Sequence, residues 1–231
     1  MPPARKSAKR KREPVSRERA LRVAIDVADK GGLADLTMRR IADELGVEAM
    51  SLYHHVPSKD AILDGMIDLV FREIEMPPRD VDWKTAMRQR AASMRSVLLR
   101  HRWAISLMES RKTPGHATLA HHDAVLGCLR GAGFSIELTA HAYAVLDSYI
   151  YGFVHTELQL PFETTEETHA LATEMLAQFP VDAFPHMAEF LREHIFQRGY
   201  AFANEFDYGF ELILDGLERA RIKERRSRPG T

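Results

Sequence analysis

Apolar residues recur every three to four positions along almost the whole chain, with charged residues between them. This is the period of an amphipathic α-helix, in which one face turns toward a core. The first such run covers residues 16–30 and is followed by two glycines, which predict that the helix ends at positions 31 and 32. The residues expected on its inward face are Leu21, Ala24, Ile25 and Ala28.

Three further runs follow before a pair of prolines. Thr37 is a good N-cap for a second, short helix, and Gly46 is expected to end it. A third short helix fits over residues 47–56, because the proline after it disfavours helical conformation at the preceding residue. A fourth, longer helix is predicted from about Lys59 to Glu75, where the prolines interrupt the pattern.

Helical periodicity also dominates the remainder of the chain. The predicted segments lie near residues 82–101, 103–110, 116–131, 135–159, 165–178, 185–197 and 201–225. The sequence contains no alternating pattern of useful length for β-strands and no internal repeat. The fold class is therefore predicted to be all-α, with a small N-terminal bundle followed by a larger helical domain.

Charge is distributed unevenly along the chain. The totals, 32 Lys and Arg against 33 Asp and Glu, give a formal net charge of −1, which provides no whole-chain argument for a nucleic-acid partner. Residues 1–60, however, contain 13 basic against 9 acidic residues, whereas residues 136–215 contain 14 acidic residues and two arginines. A polyanion is expected to be attracted to the N-terminal part and repelled by the C-terminal one.

The first 15 residues are rich in charge and proline and have no apolar period, which predicts a disordered basic arm over residues 1–15. Such an arm serves either as a solubilising tail or as a contact to phosphates or a minor groove. Cys128 is the single cysteine, so an intrachain disulfide is excluded. No apolar run approaches the ~20 residues that span a bilayer, and a cytoplasmic protein without a membrane partner is expected.

The short third helix contains the run SLYHH, whose two histidines raise three possibilities. A metal site is disfavoured because His54 and His55 are adjacent and leave a helix about 100° apart, unlike an i, i+4 ligand pair. Catalysis by Ser51 with His55 lacks a glycine elbow, an oxyanion donor and an orienting acid. The remaining possibility is a helix-turn-helix, whose last helix fits the major groove of DNA.

The stretch LTMRRIADELGVEAMSLYHHVPSKDAILDGMIDLVF resembles the DNA-binding signature of the TetR family of bacterial repressors. The resemblance implies a helix-turn-helix domain over residues 16–62 and a larger domain over residues 63–226 for effector binding and dimerisation. It further implies that double-stranded DNA is contacted by Thr37 and Arg39 from the second helix, Ala49, Met50, Ser51, Tyr53 and His54 at the reading positions of the third, His55 at its end, and Lys59 at a phosphate.

The segments WKTAMRQRAASMRSVLLRHR, RGAGFS and FELILDGLE resemble the effector domain of the tetracycline-repressor branch of this family. The candidate effector-binding residues are Arg90, Met94, Met108, Arg111, His122, Tyr143, Asp147 and Tyr151. Met108 and Arg111 stand where that branch holds a drug-bound magnesium ion, and Arg90 replaces an asparagine that holds the drug. A different apolar or aromatic effector is therefore expected, with Arg90 or Arg111 available to pair with an anionic group.

The resemblance also implies a homodimer. The last predicted helix carries apolar residues at three- and four-residue spacing, with two glycines on a neighbouring track that permits close helix approach. The candidate dimer-interface residues are Phe202, Phe206, Gly209, Phe210, Ile213, Gly216 and Leu217. Burial of this face within a single chain is the alternative reading.

The predicted function is a homodimeric repressor that binds a palindromic operator through the helix at 47–56 and is released by a small molecule. One alternative is a DNA-binding dimer with no small-molecule effector. A second is a metal protein or enzyme that uses His116, His121 and His122, but their spacing lacks the i, i+4 pair and no common catalytic signature occurs. Neither a cofactor nor an enzymatic activity is therefore expected.

Overall fold

The computed structural model describes residues 14–227, except for residues 109, 162–166, 168, 172, 175–179, 181 and 198. The α-helices are α1 (Arg17–Asp35), α2 (Met38–Leu45), α3 (Ala49–Tyr53), α4 (Lys59–Glu73), α5 (Trp83–Arg100), α6 (His116–Gly131), α7 (Ile136–Gln159), α8 (Pro185–Phe190) and α9 (Glu205–Ser227). Short 3-10 turns cover Ala104–Ser106 and Phe202–Asn204, and a π-helical turn covers Leu191–Ile195. The all-α prediction is confirmed, since the described residues contain no strand.

Two predicted boundaries differ from the structure. Helical residues of α1 continue to Asp35, beyond the glycine pair, and Gly32 (φ 71°, ψ −177°) forms a break within them. A positive φ is readily available only to glycine, so the glycine kinks the helix without ending it. The helix predicted over 103–110 is reduced to the turn Ala104–Ser106. The arm at 1–15 and the helix predicted at 165–178 fall largely outside the described residues.

One hydrophobic core runs through the N-terminal and C-terminal halves. Its buried residues extend from Ala20 in α1 to Leu217 in α9. Helix α4 connects the halves, because it packs on α1 on one side and on α6 on the other. The boundary predicted at residues 62–63 falls inside this helix.

Polar contacts from one side of α4 reinforce that connection. Arg111 lies in the segment between α5 and α6, where its Nε donates to Asp64 (2.6 Å) and its Nη2 donates to Asp60 (3.0 Å). One turn further along α4, the carboxylate of Asp68 accepts a hydrogen bond from the Thr118 amide (3.0 Å) at the start of α6. A carboxylate at a helix N-terminus is stabilised by the free amides there. The position and direction of α6 are therefore tied to α4.

The C-terminal end of α5 is tied to α1 and α4 through an imidazole. His101 Nδ1 lies 2.9 Å from Asp29 of α1, and its Nε2 lies 3.3 Å from Glu73 of α4. Trp103 Nε1 donates to the same Asp29 (2.6 Å). Partial burial raises the pKa of Glu73, but hydrogen bonds from Arg100 and His101 outweigh it and lower that pKa. These contacts hold His101 against α1 and α4, and Trp103 against α1, directly after α5 ends.

Candidate nucleic-acid interface and effector core

Backbone caps set the ends of the two helices that form the helix-turn-helix. The Thr37 hydroxyl accepts a hydrogen bond from the Arg40 amide (3.1 Å) where α2 begins. Gly46 ends α2 in the left-handed region (φ 70°, ψ 39°), and the Val47 amide donates to the Ala42 carbonyl (3.0 Å). The chain therefore turns sharply into α3, as a glycine at this position permits.

Helix α3 is held from one side and open on the other. Leu52 and Val56 are fully buried and pack in the same core as Leu45 of α2. On the opposite side Met50 is 73% exposed, and Tyr53 is exposed as well. A short helix with two buried apolar contacts and an uncovered outer side has the form of a recognition helix in the major groove.

All nine predicted DNA-contacting residues have some accessible surface. Thr37, Arg39, Met50, Tyr53, His54, His55 and Lys59 are exposed, and Ala49 and Ser51 are partly buried. The amide of Ala61 donates to the Ser58 hydroxyl (3.1 Å), which begins α4 immediately before Lys59. Lys59 is thereby placed at the N-terminal end of α4, where a lysine and free backbone amides both favour a phosphate.

The interior of the C-terminal domain contains an ion pair. Arg90 of α5 is 1% exposed, and its Nη2 lies 2.6 Å from a carboxylate oxygen of Asp147, which is 5% exposed on α7. Nη2 also lies 3.9 Å from the sulfur of Met94, one helical turn along α5. Removing one partner of such a pair would leave an uncompensated buried charge.

A histidine and several aromatic rings adjoin the ion pair. His121 of α6 is fully buried, and burial lowers its pKa to about 3, with further lowering by the nearby charges of Arg90 and His122. Its ring centroid lies 5.3 Å from that of Phe71, and the His122 ring lies 5.6 Å from that of Tyr143. The imidazole of His121 is therefore neutral at physiological pH and offers one hydrogen-bond donor and one acceptor.

Two models of known families match the chain. Residues 20–66 match the family described as "Bacterial regulatory proteins, tetR family", and residues 76–221 match "Tetracyclin repressor-like, C-terminal domain". The chain belongs to the TetR family. The matched domains identify it as a DNA-binding transcriptional regulator. The family consists of transcriptional regulators rather than enzymes.

Relatives of this TetR-family protein are found among curated proteins and solved structures. It is 32% identical to the transcriptional repressor DrrR1 of Streptomyces coeruleorubidus, over 87% of this chain and 76% of the relative. It is 33% identical to the class D tetracycline repressor of Escherichia coli, over 88% and 86% of the two chains. The structure of ActR from Streptomyces coelicolor in complex with actinorhodin is similar with a TM-score of 0.76 and 25% identity, over 90% and 97% of the chains.

The predicted effector residues of this TetR-family protein separate into three groups. Arg90, Met94 and Asp147 lie in the buried core, whereas His122, Tyr143 and Tyr151 are half-buried. Met108 is buried in the segment between α5 and α6, and Arg111 is bound to α4. Carboxylates already pair with Arg90 and with Arg111, so an anionic group would have to displace a carboxylate to reach either arginine.

His122 is among the predicted effector residues, but its neighbour His121 is the one that lies in the buried core. The signal was present in α6, where buried residues recur at three- and four-residue spacing: Thr118, His121, Val125 and Leu129. A histidine on that face is placed in the interior by the helical period. A cavity of about 550 Å³ lies elsewhere, against Trp83, Cys128 and Arg221, and none of the predicted effector residues lines it.

Much of the predicted dimer face is buried within its own chain. Phe206, Phe210 and Leu217 are buried in the core, and Phe202, Ile213 and Gly216 are half-buried. An added Cβ at Gly209 would clash with the Tyr149 hydroxyl, so the close approach at this glycine is to α7 of the same chain. The other side of α9 is open: Tyr208 is 68% exposed and Leu212 is exposed.

The metal-protein alternative and the expectation of no membrane span concern features of the described residues. No group of three or more His, Cys, Asp and Glu side chains within those residues is arranged to hold a metal ion. None of the helices in the described part of the chain is long and apolar enough to cross a membrane. The histidines at 116, 121 and 122 therefore do not form a metal cluster with neighbouring described residues.

Proposed function

We propose that the protein acts as a homodimer that binds a palindromic operator through α3 and leaves it when a small molecule binds the C-terminal domain. The observation that carries the DNA-binding part is the geometry of α3, which is fixed by Leu52 and Val56 and open on the side of Met50 and Tyr53. In a dimer, two such helices reach successive major grooves about one helical turn apart, ~34 Å.

The proposal gives each exposed residue a chemical task at the DNA. Tyr53 and Ser51 carry hydroxyls that suit phosphates or base edges, and Met50 and Ala49 suit the methyl group of thymine. Lys59 meets a phosphate at the start of α4. The remaining proposed contacts are Thr37, Arg39, His54 and His55. In this division, residues 1–15 form a basic arm, residues 16–62 the DNA-binding domain and residues 63–226 the effector-binding and dimerisation domain.

Helix α4 provides the connection through which an effector acts on DNA. Its first residue, Lys59, is the proposed phosphate contact, and Asp64 and Asp68 bind Arg111 and the start of α6. A ligand that displaces α6 therefore shifts α4 and changes the separation of the two recognition helices. Such coupling requires the effector to bind the two arrangements with different affinities.

The proposed effector is an apolar or aromatic compound other than magnesium-bound tetracycline. ActR, whose similarity extends over 90% of this chain, is described in complexes with actinorhodin and (S)-DNPA. Arg111 stands at a metal-binding position of the tetracycline branch, but here its guanidinium is bound to Asp64. A cation at that position opposes the binding of a second cation.

The proposed dimer surface consists of the outer sides of α7 and α9. Tyr208 and Leu212 of α9 are exposed, as are Ile136 and Val145 of α7. The exposed residues of α7 also include small ones, namely Ala140, Ala144, Ser148 and Gly152. Small residues allow two helices to approach closely, and large exposed apolar residues are unfavourable without a partner.

The test is an operator selection from random DNA, followed by fluorescence anisotropy on the selected site at several salt concentrations. Tyr53→Phe and Ser51→Ala are expected to weaken binding without changing the melting temperature. Lys59→Ala is expected to reduce the slope of log K against log salt by about one, the effect of losing one phosphate contact. Lys223→Ala, exposed near the end of α9, is the matched control and should leave the slope unchanged. Absence of any sequence preference refutes the DNA-binding proposal.

A DNA-binding dimer without an effector is the second candidate. The observation that favours it is the close filling of the core by Arg90, Met87 and Met94, which are almost wholly buried. Melting temperatures measured across a compound panel distinguish the candidates, because a ligand that binds only the folded state raises the melting temperature. An operator-binding protein that no aromatic compound stabilises would support this second candidate.

A further inference from the structure

The buried ion pair and the adjacent histidine carry more hydrogen-bonding capacity than the core satisfies. Within the described part of the chain, no hydrogen bond is made by Nε of Arg90, either ring nitrogen of His121, or either carboxylate oxygen of Asp147. All three side chains are more than nine-tenths buried. Buried polar groups in folded proteins are almost always hydrogen-bonded, so a cluster of exceptions calls for an explanation.

The ion pair itself has the geometry of an incomplete contact. Arg90 and Asp147 meet through one close N–O approach of 2.6 Å rather than through the two parallel hydrogen bonds that a guanidinium and a carboxylate can form. By contrast, Arg95 and Glu157, which join the same two helices near the surface, make two hydrogen bonds. A buried ion pair often stabilises a fold no more than well-packed apolar side chains do, so stability alone does not account for this pair.

The charges of the cluster sum to zero. Arg90 and Asp147 neutralise each other, and the low pKa of His121 keeps its ring uncharged. An anionic ligand would have to compete with Asp147 for the guanidinium and would be repelled by its carboxylate. An uncharged ligand with its own donor and acceptor faces neither cost.

The unsatisfied atoms also define which groups such a ligand needs. Arg90 Nε carries a hydrogen and requires an acceptor, whereas the Asp147 oxygens require a donor. Because the two side chains touch, the ligand's donor and acceptor must be adjacent to each other, as in a hydroxyl beside a carbonyl. The neutral ring of His121 offers one hydrogen-bond donor and one acceptor, so it can pair with either group of the ligand.

The surroundings favour a flat ring system. Phe71, His121, His122 and Tyr143 form a chain of ring contacts with centroid distances of 5.3 to 6.2 Å. Met94, in contact with Arg90, has a flexible side chain that adapts to different ligand shapes. Half-buried His122 and Tyr143 place the edge of this ring cluster near the surface.

We infer that Arg90, His121 and Asp147 form the polar part of the effector site and that the effector is an uncharged, planar aromatic compound with a hydroxyl next to a carbonyl. This inference rests on the proposed function, since it assigns a ligand class to the same domain. It gives Arg90 a different role from pairing with an anion.

Three anthraquinones test the ligand class by isothermal titration on the full chain. The probes are 1,8-dihydroxyanthraquinone, unsubstituted anthraquinone and anthraquinone-2-carboxylate. The dihydroxy compound is expected to bind at least about tenfold more tightly than the unsubstituted one, and the carboxylate most weakly. The inference is overturned if the dihydroxy compound does not bind, or if the carboxylate binds most tightly.

Paired variants then test the residues. The double variant Arg90→Met/Asp147→Leu removes both charges together, so no lone charge is left in the core. It is expected to bind the dihydroxy and unsubstituted probes with equal affinity. The matched control is Arg95→Met/Glu157→Leu, which removes an ion pair between the same helices and should retain the tenfold preference. Retention of that preference in the Arg90 variant overturns the inference.

Operator binding, measured on the same preparations, distinguishes failure of the proposed function from failure of the inferred ligand class. If the wild-type protein shows no sequence-specific DNA binding, the proposed function is refuted, whatever the affinities of the probes. Normal operator binding together with a wrong order of probe affinities would refute only the ligand class. Release of operator DNA by the dihydroxy probe, but not by the carboxylate, is the outcome expected when both are correct.

Discussion

His121 should make the stability of the fold depend on acidity, and the size of the effect follows from its burial. Its pKa falls from 6.5 to about 3 on folding, chiefly because burial penalises the charged ring. Between these values the unfolded chain binds a proton that the folded chain does not. Stability is therefore lost as the pH falls below 6.5, and the loss stops near pH 3.

The unfolding free energy lost at pH 4.5 follows from the difference between the two pKa values. Two pH units below 6.5, at about 1.36 kcal/mol each, give roughly 2.7 kcal/mol of lost unfolding free energy per chain. Replacing His121 with leucine removes this contribution. Urea unfolding followed by circular dichroism at pH 7.5 and 4.5 gives the acid-induced loss for each protein. The wild-type loss should exceed that of His121→Leu by roughly 2.7 kcal/mol.

The comparison requires a fixed protein concentration, since the stability of a dimer depends on it. His141→Leu is the matched control, because His141 lies on α7 with its side chain 71% exposed. This control should show the same acid-induced loss as the wild type. Equal losses in the wild type and His121→Leu would refute the argument from burial.

Three smaller changes test the contacts that position α3, α4 and α6. Gly46→Ala places a side chain at φ 70° and should cost about 1 kcal/mol, seen as a lower melting temperature and weaker operator binding. Asp68→Ala removes the acceptor for the Thr118 amide and should cost about 1 to 2 kcal/mol in urea unfolding. Trp103→Phe removes the hydrogen bond to Asp29 and should cost about 1.5 kcal/mol by the same measurement.

Local signals in the sequence predicted the helix ends well. The Thr37 hydroxyl accepts a hydrogen bond from the amide three residues later, as its predicted role as an N-cap requires, and the hydroxyls of Ser58 and Ser135 accept the same kind of bond where α4 and α7 begin. Gly46 ends α2, as predicted from its residue type and position. Each of these features depends on residues that are neighbours in the chain.

The pattern of apolar and polar residues does not predict contacts between residues that are far apart in the chain. Arg90 and Asp147 are 57 positions apart, and Arg111 and Asp64 are 47 apart, so nothing local indicates that they pair. Both arginines were therefore expected to be available for a ligand. The spacing of apolar residues identifies the apolar face of α9. It does not show whether the same chain or a second copy covers that face.

Arg111 has an electrostatic consequence at the DNA. Its guanidinium is bound to both Asp60 and Asp64, and Asp60 directly follows the proposed phosphate contact Lys59. While these contacts last, the negative charge beside the operator is partly neutralised. A movement that withdraws Arg111 leaves two carboxylates near the phosphates, so that repulsion adds to any change in the spacing of the recognition helices. Release from DNA would then be strongest at low ionic strength, where such repulsion is least screened.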